Sequence, residues 1–402
     1  MTQPHADVIV VGAGPAGAAT AARLARAGCD VLLLDRAAFP REKACAEYLS
    51  PGVVAELADL VFLEDVAARR GQWLRGMRVL TAHAGIHLDF AAAAPPRRGL
   101  GIPRVALDFA LLEQARRAGA RVRERAHVRA AVMEAGRVVG VAVGGPGAAP
   151  GGEVLRARFV VAADGVHSTV ARSLGLARPV RWPRRLGLVA RYAGVTRLNG
   201  TGEMHVGRDL YCGLAPLGQG MVNVGLVGPL GRKPAGEPTA AYFERSLAAV
   251  PGVLEALDGA ERVTPVRGVG PLAGRARRVA GRGFLLVGDA AGFLDPFTGE
   301  GIFRALRGAA LAATALLGAL ETGAAVPVGY REARAAAFGD KERVCLLIQG
   351  FLASPRLLDY ALTRSARRPA TGTLLTGVLG DYAPARAALH PAFLWSLLRP
   401  WG

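Results

Sequence analysis

The stretch that most constrains this chain lies near its start. Residues 7–36 read D-V-I-V-V-G-A-G-P-A-G-A-A-T-A-A-R-L-A-R-A-G-C-D-V-L-L-L-D-R. Val8 to Val11 is a run of apolar, β-branched residues, the pattern of a strand buried on both faces. Gly12, Gly14 and Gly17 follow at G-x-G-x-x-G spacing, and Pro15 stands where a helix can begin without its N–H. An alanine-rich helix is predicted to about Ala27, with Gly28 as its stop. Val31 to Leu34 is the second strand, closed by Asp35. Each residue type has a physical task. Gly12 permits the tight turn, Gly14 lets a pyrophosphate approach the backbone, and Gly17 brings helix and strand close. Pro15 and Ala16 open the helix, whose positive end faces phosphate. Asp35 lies at the spacing that accepts ribose hydroxyls, beside Arg36. Together these features point to a dinucleotide site in a Rossmann-like α/β domain.

A length of 402 residues suggests about two or three domains. The net charge is +18, carried mostly by arginine. Nucleic acid is not the expected partner, because the arginines are scattered and no nucleic-acid motif stands out. None of Cys29, Cys45, Cys212 and Cys345 forms a C-x-x-C pair, so neither a metal site nor a dithiol is expected. Reduced thiols fit a cytoplasmic protein. The N-terminus lacks the basic leader of a signal peptide. The longest apolar helix, predicted over 308–320, is too short to span a bilayer.

The loop 36–52, R-A-A-F-P-R-E-K-A-C-A-E-Y-L-S-P-G, is dense in charge, with Arg36, Arg41, Glu42, Lys43 and Glu47. It reads as a solvated loop or as one folded back on the dinucleotide with its basic groups near phosphate. One helix is predicted over 53–70 and strands over 73–90. Residues 91–98 read as a connector. Leu107, Leu111, Leu112 and Ala115 place an amphipathic helix after Arg104. Strands with a hairpin turn near 134–137 follow, then a surface loop at 144–152. The strand 154–162 leads into A-D-G-V-H-S-T-V-A-R. Strands at 188–195, 201–206, 211–217 and 221–227 form a second, mostly antiparallel region. A buried strand at 284–287 runs into G-D-A-A-G-F-L-D-P-F-T-G-E-G-I and a long helix. The remainder is helical and rich in arginine.

Three motifs in this order carry a resemblance: the glycine loop, Asp164-Gly165 with Ser168, and Gly288-Asp289 followed by Pro296. Together they resemble the signature of flavoprotein hydroxylases with the p-hydroxybenzoate hydroxylase fold. F-P-R-E-K-A-C-A-E-Y-L-S-P and D-P-F-T-G-E-G-I are similar to the geranylgeranyl reductase-like branch, as is Y-C-G-L-A-P-L at 211–217. Ala46 departs from that branch, where glycine is usual. Halogenases of the fold carry W-x-W-x-I-P, and none of the four tryptophans has that context.

The resemblance implies FAD, with NAD(P)H as a transient reductant. It implies that Asp289 bonds the ribityl hydroxyls and that Gly299, Gly301 and Ile302 place a helix end beneath the flavin. It gives Arg104 to the FAD phosphates and the Val128 backbone to the adenine. Asp164 and Gly165 support the phosphate region. No catalytic residue announces itself. Cys45, Glu47 and Pro296 are candidates, with Glu47 expected in a salt bridge to Lys43 or Arg41. The expected division is an FAD-binding domain at 1–72, 98–178 and 274–330, a mostly antiparallel substrate domain at 73–97 and 179–273, and a helical C-terminal region at 331–402. The expected activity is reduction of a C=C bond in an isoprenoid or polyketide. The alternatives are hydroxylation or epoxidation by a monooxygenase, and a flavin-stabilised protein that touches a membrane surface through residues 392–401.

Overall fold

The computed structural model describes residues 5–60, 63–144 and 152–398. Its first layer is a parallel sheet. The strands run in the order Phe284–Leu286, Glu153–Ala162, Ala6–Val11, Val31–Leu34, Arg121–Arg123. Neighbours pair in parallel, as Val8 with Val31 and Phe159. Alternation along the first strand sends Val8 and Val10 to one face and Ile9 and Val11 to the other. The first face is covered by the helices Pro15–Arg26, Arg104–Arg117 and Gly301–Thr322. The second is covered by the hairpin Val128–Glu134 and Arg137–Val143, with the short helix Thr169–Ser173.

A second sheet runs Glu261–Arg262, Arg185–Ala193, Met221–Pro229, Tyr211–Gly218, Thr201–Val206, Gly76–Leu80, Gly85–Asp89. It unites strands from 76–89 with those from 185–262, mostly antiparallel. The exception is the parallel pair of Gly76–Leu80 with Thr201–Val206. The helix Thr239–Ala248 packs on one face through Tyr242, Phe243 and Leu247. The other face turns toward the loops of the first domain and the C-terminal helices Tyr330–Leu352, Pro355–Ala366 and Pro369–Leu379. The C-terminal helices are latched to the N-terminal loops. Gly52 N–H donates to the Gly380 carbonyl at 2.8 Å, and the Ser50 hydroxyl donates to Asp381 Oδ2 at 2.5 Å.

Several elements differ from the sequence expectation. The helix expected over 53–70 is two helices, Pro51–Leu57 and Leu63–Arg70. The connector at 91–98 runs into a strand, Gly99–Gly101, which pairs with Tyr48–Leu49 and Gln72–Leu74. Strands this short carry no readable period. The glycine at 101 has a reason, because a Cβ there would lie 1.8 Å from the Pro216 carbonyl oxygen. Gly101→Ala is therefore expected to cost about 1–3 kcal/mol or more through overpacking, read as a lower urea midpoint.

The apolar helix expected over 308–320 is longer, Gly301–Thr322, about 33 Å at 1.5 Å per residue. Its length and composition would allow it to cross a membrane, contrary to the expectation, yet Leu306, Ala309, Ala312, Ala313 and Leu316 are buried in the core. The helix Pro391–Leu398 packs on its own chain through the buried Leu397, while Trp395 is 65% exposed. Residues 399–401 of that stretch, and 145–151 of the surface loop, lie outside the described residues.

Candidate functional site

The glycine loop is built by local sterics. Gly12 has φ +96, and a Cβ there would lie 2.6 Å from the Ala163 carbonyl oxygen. A Cβ on Gly17 would lie 1.8 Å from the Gly12 carbonyl oxygen. Gly14 is different. It N-caps the helix that opens at Pro15, and a Cβ there would meet nothing nearer than the Arg41 guanidinium, at 3.8 Å. The loop thus leaves open backbone at a positive helix end, which is what a phosphate needs.

Asp35 fastens this loop. Its Oδ2 accepts from Ala13 N–H at 2.7 Å and its Oδ1 from Ala37 N–H at 2.8 Å. The carboxylate was expected to serve ribose hydroxyls; here its first task is to hold the turn, with lone pairs left over for a ligand. Arg36 beside it is exposed. Val128 is brought to the same end, because Ala126 N–H donates to the Asp35 carbonyl at 2.8 Å.

Asp164 has a structural role. Its Oδ2 accepts from Thr169 N–H at 2.7 Å at the start of the helix Thr169–Ser173, while the buried Oδ1 has no partner among the described residues. Burial pushes its pKa up, against its hydrogen bonds to Ser168 and to backbone N–H groups. Gly165 takes φ +84 in the turn between them.

The distant G-D segment meets the glycine loop directly. A Cβ on Gly288, φ +61, would lie 2.9 Å from the Ala16 Cβ. Asp289 sits in the single turn Gly288–Ala290 and does not cap the long helix, which starts at Gly301 behind Glu300. Gly299 takes φ +70, and a Cβ there would touch the Tyr48 ring at 3.0 Å. Ile302 is buried in the core beneath. The two halves of the sequence signature therefore form one continuous line from Asp35 to Ile302.

The loop after Asp35 folds back on this line. The Arg41 guanidinium stacks 4.6 Å from the Phe39 ring centre and lies 3.3 Å from Asp108. Lys43 keeps access to solvent but is hemmed in by charged groups. The surrounding protein lowers its pKa first, then the Arg104 charge, opposed by Asp289 and Asp108. Arg104 is 5% exposed, and its guanidinium grips Asp108 through Nε at 2.8 Å and Nη2 at 2.9 Å. It anchors the phosphate-side loop rather than lying free to reach phosphate alone. Arg41 and Lys43 belong to the loop for which the sequence left open a fold back onto phosphate, whereas Asp108 was not singled out. The i,i+4 spacing of Arg104 and Asp108 was the available signal for that pair.

Glu47 corrects a second expectation. It pairs with neither Lys43 nor Arg41. Its Oε1 accepts from Arg104 N–H at 2.8 Å, capping the Arg104–Arg117 helix, and its Oε2 accepts from Arg191 Nε at 2.8 Å. Arg191 also holds Glu42 with two bonds of 3.0 Å. A buried carboxylate so held is an anchor between the loop and the second sheet, not a proton donor. The Cys45 carbonyl accepts from Asn223 Nδ2 at 3.0 Å on the same sheet. The Cys45 thiol lies beside Arg104, whose pKa, despite burial, is held up chiefly by Asp108.

An apolar cavity opens between the second sheet and the end of this line. Met77, Val79, Phe90 and Met204 form its sheet side, Pro296, Phe297 and Gly299 its opposite wall, and Ala46, Tyr48 and Leu379 its rim. Glu203 contributes backbone only, since Met204 and Glu203 alternate across the strand. Its carboxylate bonds Arg78 and His205 on the far face. Ala46 sits where the branch usually has glycine, and a Cβ added to Gly225 would lie 3.8 Å from its methyl group.

The family described as FAD binding domain matches residues 5–337. This chain is a member of that family, a geranylgeranyl reductase-like FAD-dependent oxidoreductase. It is 35% identical over 338 residues to menaquinone reductase of Mycobacterium tuberculosis, covering 77% of this chain and 76% of that protein. It is 34% identical over 310 residues to digeranylgeranylglycerophospholipid reductase 2 of Methanopyrus kandleri, covering 75% and 74%. Among solved structures, a geranylgeranyl bacteriochlorophyll reductase-like protein of Thermoplasma acidophilum superposes with TM-score 0.77 at 23% identity, covering 93% and 96%. A flavin-dependent brominase superposes with TM-score 0.81 at 20% identity, covering 97% and 98%. At such identities the two structures speak to the fold.

The residues present fit FAD. The open Gly14 backbone suits pyrophosphate. Among the described residues no group hydrogen-bonds the Asp289 carboxylate, an acceptor placed for hydroxyls on the same line. Asp289→Ala is expected to yield folded but colourless or weakly yellow protein. Full FAD occupancy of that variant, read from visible absorbance per chain, would contradict the assignment.

Proposed function

We propose that this protein saturates a C=C bond in an apolar isoprenoid or polyketide chain, using FAD reduced by NAD(P)H. The observation that carries the proposal is the apolar cavity meeting residues 296–299 at the end of the cofactor line. When bound and reduced, FAD would supply a hydride to one carbon of the double bond, the other carbon taking a proton from solvent. The chain's own residues do the rest. Gly14 and the helix end at Pro15 hold the phosphates, with Arg41 and Lys43 adding positive charge beside them. Asp289 takes the ribityl hydroxyls. The helix opening at Gly301 would offer its positive end to a flavin ring that gathers negative charge on reduction. Met77, Met204 and Phe90 exclude water from the substrate chain and select for apolar surface. The relatives' names support an isoprenoid over an aromatic substrate.

Anaerobic mixing tests this. Enzyme bleached by NADPH should regain its yellow colour on addition of prenylated compounds, and aromatic compounds should not restore it. Failure of every prenylated compound would remove the reading. Peripheral contact with a membrane, where such substrates reside, is part of the proposal. It rests on the exposed Trp395 and the arginine-rich C-terminal helices. Lack of sedimentation with anionic liposomes at low salt would eliminate it.

A further inference from the structure

The cavity wall at residues 296–298 is held from behind by a buried polar cluster drawn from four separate elements. Asp295, 1% exposed, is its centre. Its Oδ1 accepts from the Tyr211 hydroxyl at 2.7 Å and from Phe297 N–H at 3.0 Å. Its Oδ2 lies 2.9 Å from Arg185 Nε. Arg185 Nη2 donates to Gln349 Oε1 at 2.9 Å, from the helix Tyr330–Leu352. The Arg185 guanidinium stands 5.4 Å from the Tyr211 ring centre, and Phe297 meets that ring edge-on at 5.2 Å.

Such a cluster is a poor way to gain stability. Buried ion pairs break even, or worse, against well-packed apolar groups of the same volume. What it supplies is a single geometry. The O–H of Tyr211 and the N–H of Phe297 converge on one carboxylate oxygen, so the carboxylate cannot turn without releasing the peptide that follows Pro296. Arg185 sits beside the second oxygen as a charge partner, without hydrogen-bond geometry among the described residues, and is itself oriented by Gln349 and the Tyr211 ring. The sheet strands Arg185–Ala193 and Tyr211–Gly218 and a C-terminal helix thus all act on one loop, the loop shared by cavity and cofactor line.

We infer that Tyr211, Arg185 and Gln349 are positioning residues. Acting through Asp295, they set Pro296, Phe297 and Thr298 against the apolar substrate chain and the flavin edge. This rests on the reading that the cavity takes the substrate. None of the three touches the reacting atoms, so their loss loosens a wall without removing a chemical group.

Tyr211→Phe tests it in the FAD-loaded enzyme. The variant keeps the ion pair and the ring contact with Phe297, so it should still fold and hold FAD, melting only somewhat lower for the lost hydrogen bond. Its visible circular dichroism, which reports the flavin's asymmetric surroundings, should change. Its affinity for geranylgeraniol, followed by anaerobic flavin absorbance, should fall about tenfold as the cavity wall loosens. Flavin reduction by NADPH should keep its rate. Gln349→Leu, which frees Arg185 alone, should move the same two readouts in the same direction. The inference is overturned if both variants match wild type in visible dichroism and probe affinity, or if only the melting temperature moves. A wild-type enzyme that binds no prenyl alcohol would sink the proposed substrate instead, while the dichroism comparison would still decide the role of the cluster.

Discussion

Gly14→Val is expected to fold normally and to purify without colour. The reason is the contrast among the three glycines of the loop. At Gly17 an added Cβ would lie 1.8 Å from the Gly12 carbonyl oxygen and 3.2 Å from the Ala163 Cβ. Strand and helix would have to separate, so Gly17→Ala should destabilise the apoprotein itself, by about 1–3 kcal/mol or more. At Gly14 the nearest atom is the flexible end of Arg41, at 3.8 Å. The protein does not need that space; an approaching pyrophosphate does. Far-ultraviolet dichroism during thermal melting, paired with visible absorbance per chain, separates the cases. Gly14→Val should keep the melting curve of apoprotein and lose flavin. Full flavin occupancy in that variant would mean that the phosphates lie elsewhere.

Arg104→Ala is expected to destabilise the protein by about 3–5 kcal/mol, the usual cost of stripping one partner from a buried charge pair. Asp108 is completely buried, and Arg104 supplies both of its short contacts, at 2.8 and 2.9 Å. Arg41 remains at 3.3 Å, with its side chain partly open to solvent, so the loss should fall toward the lower end. Arg104→Lys should recover little, because an ammonium cannot reproduce the planar two-point grip. Chemical denaturation of the apoprotein is the appropriate measurement, since it excludes stability contributed by bound FAD. A change below about 1 kcal/mol, the level of a surface pair, would show that the guanidinium acts chiefly on the cofactor.

The sequence was legible where a residue's task is local. The glycine turn, the helix opening at Pro15 and the strand Thr201–Val206 each follow from spacing, sterics or alternation within a few residues. Local pattern failed where partners are far apart in the chain. Nothing near Glu47 announces Arg191, 144 residues away, while Lys43 and Arg41 are close by and of the right sign. The long helix was expected from about Gly301, but its apolar part was read only over 308–320, for a related reason. Arg304 and Arg307 interrupt its apolar run, yet Arg304 is buried against Glu342 at 2.7 Å, a pairing only the tertiary fold provides. The antiparallel region was expected to serve the substrate, but the rest of the apolar cavity's lining, the loop at 296–299 and Leu379, lies too far along the chain to be read together with it. Only the meeting of Gly288 with Ala16 brings motifs so far apart in the chain into one place.

The central claim is that electrons pass from NADPH to a carbon–carbon double bond at the cavity mouth. The most direct measurement is the mass of product formed from a prenylated substrate with NADPH, in air and without it. The account predicts a gain of two hydrogens in both conditions. A product heavier by one oxygen, formed only in air and matched by oxygen uptake, would contradict it.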